Sequence, residues 1–369
     1  MIAPRRSLPL VLRLLVPCLA AAGCGGGQPR TNAQNAAPAF VPGGLRWVGR
    51  VDASDPRAIR FAWSATGFVG VVRGTKISVR LQTVNTPAVL FQPIVDGVSG
   101  ARFEVPEGPP QTVVLRDDLA AGDHVVELYR ESEGMFGVSV FLGMVDGAVE
   151  GAPPAPGRLI EFVGDSISAG YGNLGTEVHP PSDKTCGFSI AAESATQAYD
   201  AMVGRDLGAE VSILARSGWG IYRDQNGNTA NVLSALYGDT LGAERSPAWS
   251  FERQPDAVVI NLGTNDSAGG DPGVPYEKAY LSFLRAVRGH YPSARIFLTL
   301  GPMTTEPILT AMRAHLTNVI AAFGDARTSK IDLEVQDTAS TGCDYHPNLA
   351  EDRVMATAVT AALRARLGW

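Results

Sequence analysis

Runs of basic residues are missing from this 369-residue chain, whose formal charge is −6. The first 23 residues hold Arg5, Arg6 and Arg13 and no acid, so the remainder is more acidic still. An acidic body without a basic stripe argues against nucleic acid as a partner. Long apolar runs are missing as well, apart from one near the start, so no other segment is expected to span a bilayer. Cysteine is sparse, with 4 in the chain, which leaves room for few disulfides. Otherwise the composition is that of a globular protein, 45% hydrophobic and 18% charged, and the length suits two domains.

The apolar run near the start reads as an export signal. Arg5 and Arg6 precede "LPLVLRLLVPCLAAA", and small residues lead directly into Cys24 in "AAGC". That end resembles a bacterial lipobox, with Cys24 as the lipidated residue; cleavage after Ala22 is the alternative. Residues 1–23 are then the signal and 24–44 a Gly-, Asn- and Pro-rich tether. The expected location is outside the cytoplasm, anchored by lipid or, failing that, secreted. Cys18 leaves with the signal, so Cys186 and Cys343 remain for one disulfide, or for two free thiols.

Residues 45–150 read as short β-branched strands such as "FVGVVRG", "KISVRLQT" and "HVVELYRES", punctuated by Gly74, Asp96-Gly97 and Gly122-Asp123. Seven or so such strands without helical periodicity predict a β-sandwich. A Pro-rich linker, 151–157, follows, and over 158–369 strands alternate with helices. About five strands are expected there, in a parallel sheet with helices on both faces, an α/β/α arrangement. Asn348 is placed to cap a last helix that carries Met355, Val359 and Leu363 on one face.

In such sheets ligands bind beyond the carboxyl ends of the strands. There the sequence places Ser166 in "GDSISAGYG", Gly218 in "ARSGWG", Asn265 in "NLGTND" and His346 in "GCDYHPN". Singly each has an ordinary reading: a helix cap, a turn, a structural histidine. Together they suit acyl transfer. A serine hydroxyl needs a base to take its proton, and the oxyanion needs aimed donors. Ser166 and Gly218 would donate backbone N–H groups and Asn265 its side-chain amide. His124, His290 and His315 fall in the sandwich or on helices, and His179, in a Pro-rich loop, is the alternative base.

Gly164-Asp165-Ser166, Gly218, Gly263-Thr264-Asn265-Asp266 and His346-Pro347 together resemble the four blocks of the SGNH, or GDSL-type, hydrolases. The whole layout is similar to carbohydrate esterase family 2, which sets a small jelly-roll-like β domain before the SGNH domain; "GDHVVELYRESEG" and "FLGMVDG" resemble that first module. The resemblance implies a serine esterase that removes acetyl groups from polysaccharides such as xylan or glucomannan, without metal or organic cofactor. The last block departs from the superfamily pattern: Cys343 stands where most members keep an acid, three residues before the histidine. Asp344, at minus two, is one candidate to orient His346, and a backbone carbonyl is the other.

Trp219 and Tyr345 lie beside these residues and are expected to stack on sugar rings, with loop packing as the rival role. Asp165 is expected to brace the nucleophile turn. A Cys186–Cys343 disulfide would pin the nucleophile-side loop to the histidine loop. The expected partner is an acetylated polysaccharide, with membrane contact only through the lipid and the protein a monomer. Two other readings stay open: a lipase-like or thioesterase-like SGNH enzyme, and an inert glycan-binding surface lipoprotein.

Overall fold

Alternating β-branched and polar residues in the first third of the chain build antiparallel ladders, and the buried apolar runs of the remainder build a parallel sheet. The computed structural model describes residues 41–175, 186–242, 247–337 and 341–369. Cys24 and His179 lie outside the described residues.

The first domain is an antiparallel assembly of 11 strands organised by two long ones, Gly67–Val84 and Val138–Ala152. The segments "FVGVVRG" and "KISVRLQT", read in sequence as separate strands, form one strand of 18 residues. Gly74 does not reverse the chain: the strand runs on through it, pairing on either side with Val138–Ala152. That partner takes up the mismatch with register shifts along 141–151, as bulges do when a sheet bends. Its pairing with Val41–Pro42 includes Gly151 and Ala152, so these two expected linker residues belong to the sheet. The interior is aromatic and aliphatic, with Trp47 set against Phe61, Phe68 and Phe141.

Among the described residues the second domain has five parallel strands: β1 (Leu159–Gly164), β2 (Glu210–Ala215), β3 (Ala257–Asn261), β4 (Arg295–Thr299) and β5 (Thr328–Ile331). Their order is β2-β1-β3-β4-β5. The connections reverse direction between β1 and β3, and that switch point opens a crevice at the strands' carboxyl ends. The helices are α1 (Ser166–Ala169), α2 (Tyr199–Leu207), α3 (Val274–His290), α4 (Ile308–Phe323) and α5 (Leu349–Leu367). Asn348 caps α5, accepting from the N–H groups of Ala350 and Glu351 at 3.0 and 3.2 Å. Met355, Val359 and Leu363 are buried against the sheet's hydrophobic cluster.

The two domains belong to one compact unit. Trp63 of the first domain is buried in the core of the second, together with Val163, Leu214 and Tyr237. Arg50, wholly buried, pairs with Glu161 on β1 at 3.1 Å and donates to the carbonyl of Tyr237 at 2.6 Å. Its guanidinium lies over the rings of Tyr237, Trp249 and Phe251. Removing one partner of a buried pair leaves the other charge uncompensated. Arg50→Ala should therefore lower the unfolding free energy by about 3–5 kcal/mol, measured as a lower urea midpoint at unchanged slope.

Candidate active site

Strand β1 ends at Gly164, and Asp165 turns the chain into α1 by accepting the Ile167 N–H on its carboxylate at 3.1 Å. Ser166 is the first residue of α1, where a helix leaves N–H groups without internal partners. Its Oγ lies 2.7 Å from Nε2 of His346, although the two are 180 residues apart in the chain. Nδ1 of His346 lies 3.1 Å from the backbone carbonyl of Asp344. A carbonyl oxygen only accepts, so Nδ1 carries the proton and Nε2 presents its lone pair to the serine. This is the arrangement a general base requires.

The carboxylate of Asp344 does not hold the imidazole. It accepts the Tyr171 hydroxyl at 2.7 Å instead, and only the carbonyl of the residue reaches the ring. This corrects the reading that places the Asp344 side chain in the catalytic set. The physical reason is the backbone. Only in an extended segment do residues two apart point the same way and bring the Asp344 side chain to the ring. Asp344 and Tyr345 instead take positive φ values of 48° and 59°, so the chain turns sharply and directs a carbonyl, rather than a side chain, at the ring.

Two consecutive left-handed residues that are not glycine each cost on the order of 1–3 kcal/mol, so the surroundings must over-determine the turn. Cys343 is disulfide-bonded to Cys186. The N–H of Cys343 bonds to the carbonyl of Gly172 at 3.0 Å, and that of Asp344 to Cys186 at 2.8 Å. The Gly342 N–H closes on the His346 carbonyl at 2.7 Å, and the Gln336 amide donates to the Tyr345 carbonyl at 2.6 Å. At Gly342 a side chain is excluded outright: a Cβ would sit 2.1 Å from the Gly172 carbonyl oxygen. Tyr171 adds a ring contact to His346, with centroids 4.3 Å apart. Burial and the adjacent carboxylate keep its phenol protonated and able to donate.

The turns after β2 and β3 carry Gly218 and Asn265, the residues expected to face an oxyanion. Gly218 has a φ of 77°, open to glycine at no steric cost, and its carbonyl accepts from Gln225 N–H at 2.9 Å. Asn265 donates through Nδ2 to the Asp165 carboxylate at 3.1 Å and to the Trp219 carbonyl at 3.2 Å. One amide thus ties the residue before the nucleophile to the residue after Gly218. Burial pushes the Asp165 carboxyl up to about 7. The carboxylate of Asp266, fully buried, collects the N–H groups of Ile221, Tyr222 and Arg223 at 2.7 to 3.0 Å and holds the loop after Gly220.

Of the two rim aromatics, Tyr345 is 58% exposed. Trp219 is half-buried, with the Arg216 guanidinium 4.3 Å from its ring centroid. Tyr171 stands in the nucleophile block itself, but nothing local in the sequence announces that its hydroxyl meets Asp344.

Two outcomes follow from this geometry. Asp344→Asn keeps the carbonyl and tolerates the left-handed turn, so kcat on p-nitrophenyl acetate should fall by about tenfold or less, against the roughly 10⁴-fold loss expected where a carboxylate orients the base. Desolvation lowers His346 to about 4 from 6.5, although the ring keeps partial solvent access. The imidazole must be neutral to accept the serine proton. Hence kcat/KM should rise with pH through a midpoint below 6.5 and be level near neutrality; acetate release followed in a pH-stat reads it, and a midpoint at or above that value would show that desolvation does not lower the imidazole.

Comparison with known proteins gives the same two-part layout. Residues 47–156 match the carbohydrate esterase 2 N-terminal family, and residues 162–350 match the GDSL-like lipase/acylhydrolase family. The chain is 34% identical over 334 residues to the cellulase/esterase CelE of Acetivibrio thermocellus, covering 88% of this chain but only 40% of that protein. It is 26% identical to an acetylxylan esterase/glucomannan deacetylase of Cellvibrio japonicus, covering 89% of it. A structure of a family two carbohydrate esterase from Clostridium thermocellum in complex with cellohexaose superposes with a TM-score of 0.82 at 33% identity, covering 88% of this chain and all of the other. With a serine–histidine pair at the switch point of its parallel sheet and an antiparallel β domain in front, the chain belongs to carbohydrate esterase family 2, on an SGNH catalytic domain.

Proposed function

We propose that this protein is a serine esterase that removes O-acetyl groups from a polysaccharide such as xylan or glucomannan. The observation that carries the chemistry is the 2.7 Å contact between Ser166 Oγ and His346 Nε2, with Nδ1 committed to a carbonyl. The substrate class draws support from the relatives, which include a protein named acetylxylan esterase/glucomannan deacetylase, and from the aromatic residues Trp219 and Tyr345, which adjoin Gly218 and His346 in the chain.

In the first half-reaction Nε2 takes the Ser166 proton as Oγ attacks the acetyl carbonyl carbon. The N–H groups of Ser166 and Gly218 and the Asn265 amide face the developing oxyanion. Asn265 shares or surrenders one of its two bonds as it does so. The imidazolium then protonates the departing sugar oxygen, leaving an acetyl ester on Ser166. Water, deprotonated by the same Nε2, attacks that ester, and the tetrahedral intermediate expels Ser166 Oγ, which regains its proton, and acetate leaves. Base catalysis of this kind is worth about 10²–10⁴-fold, and each oxyanion donor about 10²–10³-fold in kcat.

The N-terminal sequence supports export and attachment to the cell envelope through lipid on Cys24. Among the described residues no helix is long and apolar enough to cross a membrane.

Ser166→Ala should abolish acetate release from acetylated xylan and acetylated glucomannan while the protein remains folded. The wild type should prefer acetyl over longer acyl chains. Turnover that survives the substitution, or that rises with chain length, would overturn the esterase mechanism or the acetyl preference respectively.

A further inference from the structure

The first domain reaches the oxyanion turn through one side chain. Between the end of the strand Gly122–Arg130 and the start of Val138–Ala152 the chain makes a short connection, residues 131–137. Five of its residues, Glu131, Ser132, Glu133, Gly134 and Gly137, are buried. A solvent-facing connection between two strands would not bury two glutamates.

Each carboxylate docks on the hydrolase domain. Glu131 accepts from Ser194 Oγ at 3.2 Å and from Thr196 through its N–H at 3.0 Å and its hydroxyl at 2.6 Å. Glu133 accepts the Ser217 N–H at 2.6 Å on one oxygen and the Ser217 hydroxyl on the other. Ser217 directly precedes Gly218, whose N–H is one of the oxyanion donors.

We propose that Glu133 is a positioning residue for the oxyanion hole, supplied to the catalytic domain by the β domain. The donor N–H of Gly218 belongs to the peptide unit that begins at the Ser217 carbonyl. That unit precedes a glycine at a φ of 77°, where a rotation of the peptide plane meets little steric resistance. Such a rotation would turn a carbonyl, not an N–H, toward the oxyanion. Glu133 grips Ser217 at two atoms and sets the direction in which that peptide leaves the residue. On the far side the Gly218 carbonyl is held by the Gln225 N–H at 2.9 Å. The donor is therefore clamped from both ends, which is the preorganisation that oxyanion stabilisation depends on.

The clamp is itself braced. The Arg130 guanidinium, wholly buried, donates to the carbonyls of Ser132 at 2.8 Å, Glu133 at 3.2 Å and Gly137 at 3.2 Å, and to Ser139 Oγ at 2.7 Å. Glu193 accepts the Glu133 N–H at 3.1 Å, and Arg102 holds the Glu193 carbonyl at 2.6 Å. Burial pushes both Glu133 and Glu193 up, Glu193 the more strongly.

This inference rests on the esterase reading, which wild-type turnover of p-nitrophenyl acetate and its loss in Ser166→Ala secure first, so that failure here leaves that reading standing. In the full chain, Glu133→Ala should lower kcat by about 10–100-fold with KM changed by less than about twofold. The acid limb of the pH profile should not move, because His346 is untouched. Glu133→Gln, which can still bond both Ser217 atoms, should recover kcat to within about fivefold of the wild type. Wild-type kcat in a folded Glu133→Ala protein, a displaced acid limb, or a failure of Gln to restore activity would each overturn the proposal. Should Glu133→Ala not fold, Ser217→Ala supplies the test: it removes one of the two bonds and should cost about three- to tenfold in kcat, and a wild-type value would overturn the clamp.

Discussion

The hydrogen bond from Nδ1 of His346 to the Asp344 carbonyl decides which ring nitrogen faces the serine, and the rest of the site is built to keep that carbonyl in place. A carboxylate partner would orient the imidazole and also stabilise its charged form. A carbonyl offers a dipole in place of a full charge, and it is only as well placed as the backbone that bears it. The burden of precision therefore passes from a side chain to a loop. That explains why two non-glycine residues sit in left-handed conformations here, and why a disulfide and several backbone bonds converge on so few residues.

Tyr171 connects the two halves of this arrangement. Its hydroxyl secures the Asp344 side chain, its ring lies against His346, and its N–H bonds to the Ser166 carbonyl at 3.0 Å. The nucleophile turn and the base loop are thus braced against each other as well as through the disulfide. On the opposite side of the serine, Asn265 and Asp266 tie the turns after β2 to the turn after β3. Catalysis here is mainly a matter of placing ordinary groups, a hydroxyl, an imidazole and amides, with little freedom to move.

The β domain is more than a neighbour of this assembly. Arg50 and Trp63 anchor it in the core of the α/β domain, and residues 131–137 carry two buried carboxylates to the catalytic face. Buried carboxylates are expensive unless each oxygen finds donors. Both oxygens of Glu131 and of Glu133 find them on residues 194–217, beyond the domain boundary, so folding of the loop and docking of the domains are one event energetically.

What was legible in the sequence is what is encoded locally. Strand–helix alternation, the cap at Asn348 and the residues that follow each parallel strand depend on short stretches of chain, and these predict the α/β sheet and place Ser166, Gly218, Asn265 and His346 on its rim. The two remaining cysteines could be matched by elimination. The long bent strands of the first domain were divided in the reading at Gly74, because the cross-strand partner that carries the chain through it lies far away in sequence. The choice between the Asp344 side chain and a backbone carbonyl was open in the sequence for a related reason: it turns on a left-handed backbone imposed by contacts with Gly172 and Cys186. Glu133 and Ser217 are 84 residues apart, and Tyr171 and Asp344 are 173. No local pattern announces such partners. By itself the sequence determined which residue types stand on the rim; the tertiary structure alone decided which atom meets the second nitrogen of His346 and that a carboxylate of the β domain reaches Ser217, since those depend on distances between segments that only folding brings together.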